Sequence, residues 1–205
     1  MNKVITIGRE HGTGGREIGK HIAEKLGIEC YDGRLVSEAA RAGGIDEKLA
    51  EFYDEKPTSA LLYSLSMSMS IPGLTHASPP LPLGEQVFLA QCDVIREFAR
   101  EPCVIVGRCA DYILKDETDL CRVFIRSEIE ERVRRIMSTY ELTEDKARDM
   151  IKKIDKERAN YYNFHTDSTW GSTKNYDICL NVTGMDLDAA ADIIISYANA
   201  MPAKE

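Results

Sequence analysis

The sequence predicts an α/β protein in which a five-stranded parallel sheet is covered on both faces by helices. Three observations carry this expectation. Short apolar runs alternate with amphipathic stretches along the chain. The runs are apolar throughout rather than alternately polar, as strands buried on both faces are. The first run ends in a glycine-rich turn that opens a helix, and ligands of such sheets bind at the carboxyl ends of the strands.

The elements follow in order. Lys3 to Gly8 (KVITIG) reads as a first buried strand. Gly14 to Leu26 carries Ile18, Ile22, Ala23 and Leu26 at helical spacing, with Gly27 as a C-terminal stop. Ile28 to Tyr31 is a second strand, closed by Asp32-Gly33, and Arg34 to Ala42 is helical. Asp46 is placed to cap a short helix from Glu47 to Tyr53. From Pro57 to Gly84 the composition turns to Ser, Met and Pro with almost no charge, as in a covering segment, a substrate-side lobe or a partner surface. Glu85 to Arg100 is an amphipathic helix, Cys103 to Gly107 a third strand, and a helical turn runs on from Arg108 to Leu114. Arg122 to Ile125 is a fourth strand and Glu128 to Tyr140 a basic helix. Thr143 is placed to cap a helix that runs to about Tyr162. Ile178 to Val182 is the fifth strand and Leu187 to Ala200 the closing helix. No internal repeat interrupts this order.

Composition narrows the function. The 205 residues suit one domain, and a formal net charge of -8 argues against general nucleic-acid binding, which wants a basic stripe. An anionic small molecule fits if the few cations converge. The six cysteines form no C-x-x-C pair, and four lie in or beside apolar runs, which reads as reduced thiols in a cytoplasmic protein. The chain enters a strand directly after its first residues, so no signal peptide is expected. No apolar run reaches the about 20 residues needed to cross a bilayer, so no membrane partner is expected.

The stretch Gly12-Thr13-Gly14-Gly15-Arg16 has the makings of an anion cradle. The first N–H groups of a helix have no internal partner, the helix dipole adds positive charge there, and glycines let the backbone approach a phosphate. Yet the Lys and the Ser or Thr of an ATP-binding P-loop are missing. An arginine is a planar fork rather than a compact point charge, and the usual magnesium ligand is gone. A dinucleotide fingerprint is the rival: Gly12-x-Gly14 begins it and Asp32 ends the second strand, but Glu17 stands where its third glycine belongs. A tight turn without a ligand is the plainer alternative. His11 reads as an exposed loop residue. Arg132, Arg134 and Arg135 read as a solvated helix face, and Asp155 with Arg158 could be an intrahelical i,i+3 ion pair.

Six segments in this order, GREHGTGGREIGKHIAEKLGI, CYDGRLV, VIVGRCADYIL, RVFIRSEIEERVRRI, IDKERANYY and NYDICLNVT, resemble the cytidylate kinase-like family over most of the chain. The segment from Pro57 to Gly84 carries none of the likeness. The resemblance implies a single three-layer α/β/α P-loop kinase domain, with a variable substrate-side segment at 43–84 and a helical lid over 127–170. It implies transfer of the ATP γ-phosphoryl group to a nucleoside monophosphate or similar small acceptor. Gly12 to Arg16 would hold donor phosphates. Arg108 would grip the acceptor phosphate, with Cys109 where related motifs have Asp. Asp32, Arg34, Arg41 and Asp155 would meet the acceptor, and Lys152, Lys153 and Arg158 would serve the lid. Arg16, Arg108 and Arg158 are the catalytic candidates. Magnesium would accompany ATP, its protein ligands being unassigned, and no tightly bound cofactor is expected. A homo-oligomer stays open. The altered loop keeps a second class in play, a non-catalytic nucleotide- or anion-binding protein on the same fold.

Overall fold

The structure is a computed structural model, and it describes residues 3–44, 46, 48, 81–116 and 119–202. The helix expected at 47–53 and most of the Ser- and Met-rich segment at 57–84 lie outside the described residues.

Five parallel strands form the sheet: β1 (Val4–Arg9), β2 (Glu29–Tyr31), β3 (Cys103–Val106), β4 (Leu120–Arg126) and β5 (Ile178–Asn181), in the order β2-β3-β1-β4-β5. The central strand, β1, pairs Ile5 with Val104 and Cys121, and Ile7 with Val106 and Val123. Two strand limits differ from expectation in ways that bear on the site. β1 runs on to Arg9, which pairs with Ile125, so the loop begins at Glu10. β4 begins at Leu120 because Leu120 and Cys121 continue the pairing beside Val4 and Ile5.

The helices are α1 (Gly15–Leu26), α2 (Arg34–Gly43), α3 (Leu83–Phe98), α4 (Ala110–Ile113), α5 (Ile129–Tyr140), α6 (Glu144–His165) and α7 (Leu187–Ala200). One face of the sheet buries Ile5, Ile7, Val104, Val106, Val123 and Ile125 against Ile18 and Ile22 of α1 and Ile194 of α7. The other buries Val4, Ile105 and Leu120 against Leu35 of α2, Ile95 of α3 and Leu114. Alternate residues of each strand serve opposite faces, which is why the strands are apolar throughout. The helices α5 and α6 pack on each other through Val133, Ile136, Ala147 and Ile151. Thr143 starts α6 without a side-chain cap, whereas Asp186 caps α7 by accepting from Asp188 and Ala189 N–H. A one-turn 3-10 helix at Thr173–Asn175 was not expected.

The six cysteines are free, four of them buried, and burial pushes the Cys103 and Cys121 thiols up to about 12. Cys179 is exposed. Among the described residues no helix is long and apolar enough to cross a membrane.

Candidate functional site

The carboxyl end of β1 opens into two neighbouring clefts. The first is formed by the glycine loop. Gly12 and Gly14 adopt left-handed conformations at φ 83° and 78°, which a side chain would strain. Gly14 caps α1 with no side chain at all, and the helical ladder begins with Ile18 N–H to Gly14 C=O at 2.9 Å. The N–H groups of Gly15, Arg16 and Glu17 therefore precede the ladder, as an anion site at a helix N-terminus requires. The cleft holds about 210 Å³ and is lined by the loop together with Arg9, Arg16, Glu17, Arg135 and Arg158.

Ion pairs reaching in from α5 and α6 hold the loop in shape. Arg132, 7% exposed, sends Nη1 to Glu10 Oε2 at 3.2 Å, Nε to His11 C=O at 2.7 Å and Nη2 to Asp155 Oδ2. Asp155 Oδ1 accepts from His11 N–H at 2.7 Å, and Glu10 Oε2 also accepts from Ser127 N–H at 3.1 Å. The Thr13 hydroxyl donates to Glu10 C=O at 2.9 Å. Arg132 is thus a buried centre and not part of a solvated face, while Arg134 is exposed and paired with Glu131. Asp155 and Arg158 do not form the intrahelical pair: Asp155 turns to the loop, and Arg158 donates to Arg9 C=O at 3.3 Å. His11 is half-buried, not exposed. Burial first, then the charge of Arg158, lowers its pKa to about 4, so it is neutral near pH 7.

The second cleft lies beyond β3 and is lined by Gly107, Arg108, Cys109, Asp111, Tyr161, Tyr162, Trp170 and Tyr176. Gly107, Arg108 and Cys109 are left-handed in succession at φ 84°, 53° and 56°. Two non-glycine residues in that region hold backbone strain of the kind that gathers at functional sites. Arg108 is 5% exposed and donates to Val106 C=O at 3.1 Å. Asp111 is buried, and Tyr162 Oη donates to its Oδ2 at 2.7 Å. Burial raises the Asp111 pKa, and it raises those of Tyr162 and Tyr176 as well. Arg9 and Arg158 line both clefts.

The expected residues divide. Gly12 to Arg16 and Arg158 meet at the first cleft, and Arg108 stands in the second with Arg158. Asp32 joins Arg16, its Oδ2 lying 2.5 Å from Arg16 Nε. Asp155 serves the loop and does not line the second cleft. Arg41 pairs with Glu38 on the exposed side of α2, and Lys152 and Lys153 are exposed on α6; none of these three lines either cleft. The side chain of Arg34 lies outside the described residues. Reading the sequence missed Arg9, Glu10, Arg135 and the tyrosine pair; the adjacent Tyr161-Tyr162, inside a segment that carried the resemblance, was the available signal.

Magnesium fits this donor set poorly. Arg16 and Glu17 occupy the helix start, and the Thr13 hydroxyl is buried and turned inward. Among the described residues no group of three or more His, Cys, Asp or Glu is placed to hold a metal ion.

The model of the cytidylate kinase-like family matches residues 4–184. No curated protein matches the chain. A crystal structure of an uncharacterized protein from Eubacterium ventriosum ATCC 27560 is similar at 33% identity and a TM-score of 0.73, covering 98% of this chain and all of that one. Shikimate kinase from Acinetobacter baumannii in complex with shikimate is similar at 14% identity and a TM-score of 0.51, covering 98% of this chain and 96% of that one. A gluconokinase from Sinorhizobium meliloti 1021 is similar at 13% identity and the same TM-score, covering 97% and 92%. The sheet order and these likenesses make the fold that of the P-loop kinases.

Proposed function

The chain belongs to the cytidylate kinase-like family, and from that premise we propose that it is a phosphotransferase. In this reading it moves the γ-phosphoryl group of ATP to a nucleoside monophosphate or a similar small acceptor. The observation that carries the proposal is the sharing of Arg9 and Arg158 by two adjoining clefts at the carboxyl edge of the sheet.

Phosphoryl transfer asks the protein mainly for alignment and for cations around the oxygens that gain charge. The loop from Gly12 to Gly15 and the start of α1 hold the donor phosphates, with Arg16 and Arg135 beside them. Arg108 holds the acceptor phosphate through a planar fork suited to two phosphate oxygens. An acceptor oxygen attacks the γ-phosphorus, the bond to the β–γ bridging oxygen breaks, and ADP leaves. Arg9 and Arg158, standing between the clefts, stabilise the group in passage. Arg132, Glu10 and Asp155 position the loop without touching either substrate.

The test is release of ADP from ATP with CMP, dCMP, UMP and a wider panel of small hydroxyl and phosphate acceptors. Turnover with one of them is expected; none across the panel removes the kinase reading. The second reading, a binding protein without chemistry, is favoured by Arg16 and Glu17 standing where a P-loop has its hydroxyl. Nucleotide-dependent thermal stabilisation without any turnover would select it. Arg16→Ala is expected to weaken the hold on the donor phosphates in both readings, and unchanged ATP affinity would take Arg16 out of the site.

A further inference from the structure

We infer that the donor cleft receives its polyphosphate without a magnesium ion and neutralises it with arginine side chains instead. The inference rests on the first cleft being the donor site.

The geometry supports it in three ways. First, the hydroxyl that a magnesium-binding loop places at the helix start is missing. Arg16 and Glu17 stand there, and Thr13, 2% exposed, spends its hydroxyl on Glu10 C=O. Second, the carboxylates around the loop are already committed. Glu10 Oε2 is held by Arg132 and by Ser127 N–H. Asp155 is held through both oxygens by Arg132 and His11 N–H. Asp32 is held by Arg16 and by Gly33 N–H. Freeing Glu10 or Asp155 for a metal would strand the buried Arg132 charge and unpin the loop, and removing one member of a buried ion pair is strongly unfavourable. Among the described residues Glu10 and Glu17 are the acids that line the cleft; Glu10 Oε2 is spent on Arg132 and Ser127 N–H, and the exposed Glu17 is a thin protein contribution to an ion that demands near-octahedral oxygen ligands.

Third, the cations are in place. Arg9, Arg16, Arg135 and Arg158 line one cleft of a chain whose net charge is -8. Arg16 is shared with Asp32, and Arg9 and Arg158 have contacts of their own, so the guanidinium groups of the cleft offset part of the charge of a metal-free triphosphate. Guanidinium is also more weakly hydrated than ammonium and meets two phosphate oxygens at once. A magnesium ion would compete with these arginines for the same oxygens.

Isothermal titration calorimetry of the full chain with ATP tests this, once in excess EDTA and once in excess magnesium. The expected result is a Kd that magnesium tightens by less than about threefold, with inorganic tripolyphosphate following the same pattern. Arg135→Ala should weaken ATP in EDTA by about tenfold. Glu17→Gln should leave the EDTA-to-magnesium ratio where it was. A larger gain from magnesium, or one that Glu17→Gln removes, overturns the inference and leaves the donor-site reading standing. Absence of ATP binding in both buffers, from protein whose circular dichroism is that of a folded chain, overturns both.

Discussion

The two clefts at the edge of the sheet are held in opposite ways. The loop cleft is kept by charge: Arg132 gathers Glu10, the His11 carbonyl and Asp155 into one buried knot. The pocket beyond β3 is kept by shape, through a left-handed Gly107-Arg108-Cys109 turn and a wall of aromatic rings around Asp111. A charge-held loop suits a ligand that is mostly charge. A ring-lined pocket suits discrimination, because rings and a buried carboxyl group read the outline of a molecule rather than its valence. Arg9 and Arg158 are the residues through which one region can sense the other.

The sharpest way to break the comparison is Arg132→Ala. It leaves the Glu10 and Asp155 carboxylates without their cation, and unfolding in urea should show a loss of about 3 kcal/mol. Donor binding should fall with it while an acceptor fluorescence titration of Trp170 stays near wild type. Equal loss at both clefts would mean that the knot holds more than the loop.

Arg158→Ala comes next. As a cation common to both clefts it should lower kcat by about 10²-fold in steady-state assay, beyond any change in either KM. A change confined to one KM would place it in that cleft alone.

Tyr162→Phe probes the pocket. Removing the hydroxyl that Asp111 accepts should destabilise the fold by about 1–2 kcal/mol and raise the acceptor KM, with ATP binding unchanged.

The smallest effect concerns pH. The His11 pKa is lowered to about 4 from 6.5, and that of His165 likewise, so the unfolded chain binds more protons than the native one between those values. Stability then rises with pH through that window and is lost as pH falls through it. Asp111, raised by burial, acts in the opposite sense. His11→Gln should flatten the dependence of chemical-denaturation midpoint on pH between about 6 and 4; an unaltered slope would mean that the loop histidine is hydrated.

The glycine loop and Arg108 were legible in the sequence because their chemistry is local. A strand, clustered glycines and a helix start, or a bare Gly-Arg at a strand end, announce themselves over a few residues. Arg132 was not legible. Three arginines on one helix look alike until α6 packs on α5 and brings Asp155 to one of them, and that meeting spans 23 positions of sequence. Tyr161 and Tyr162 were masked for a similar reason, since aromatic residues on a long helix usually read as core. The limits of β4 were blurred because Leu120 and Cys121 take their strand character from pairing with β1. Sequence patterns expose what a residue does to its neighbours in the chain; the ion-pair knot depends on neighbours in space.

Gly14 joins the start of α1 to the start of α7. A Cβ there would lie 2.7 Å from Leu187 Cδ1, so the missing side chain is what lets the first residue of α7 rest against the loop. The strand that leads into the loop is also the middle of the sheet, flanked by strands made much later. On the ribosome, then, the glycine loop emerges well before the strands and the helix that complete it. A nascent chain arrested before Leu187 should fail to retain nucleotide, and release of the final helix should confer that ability in one step.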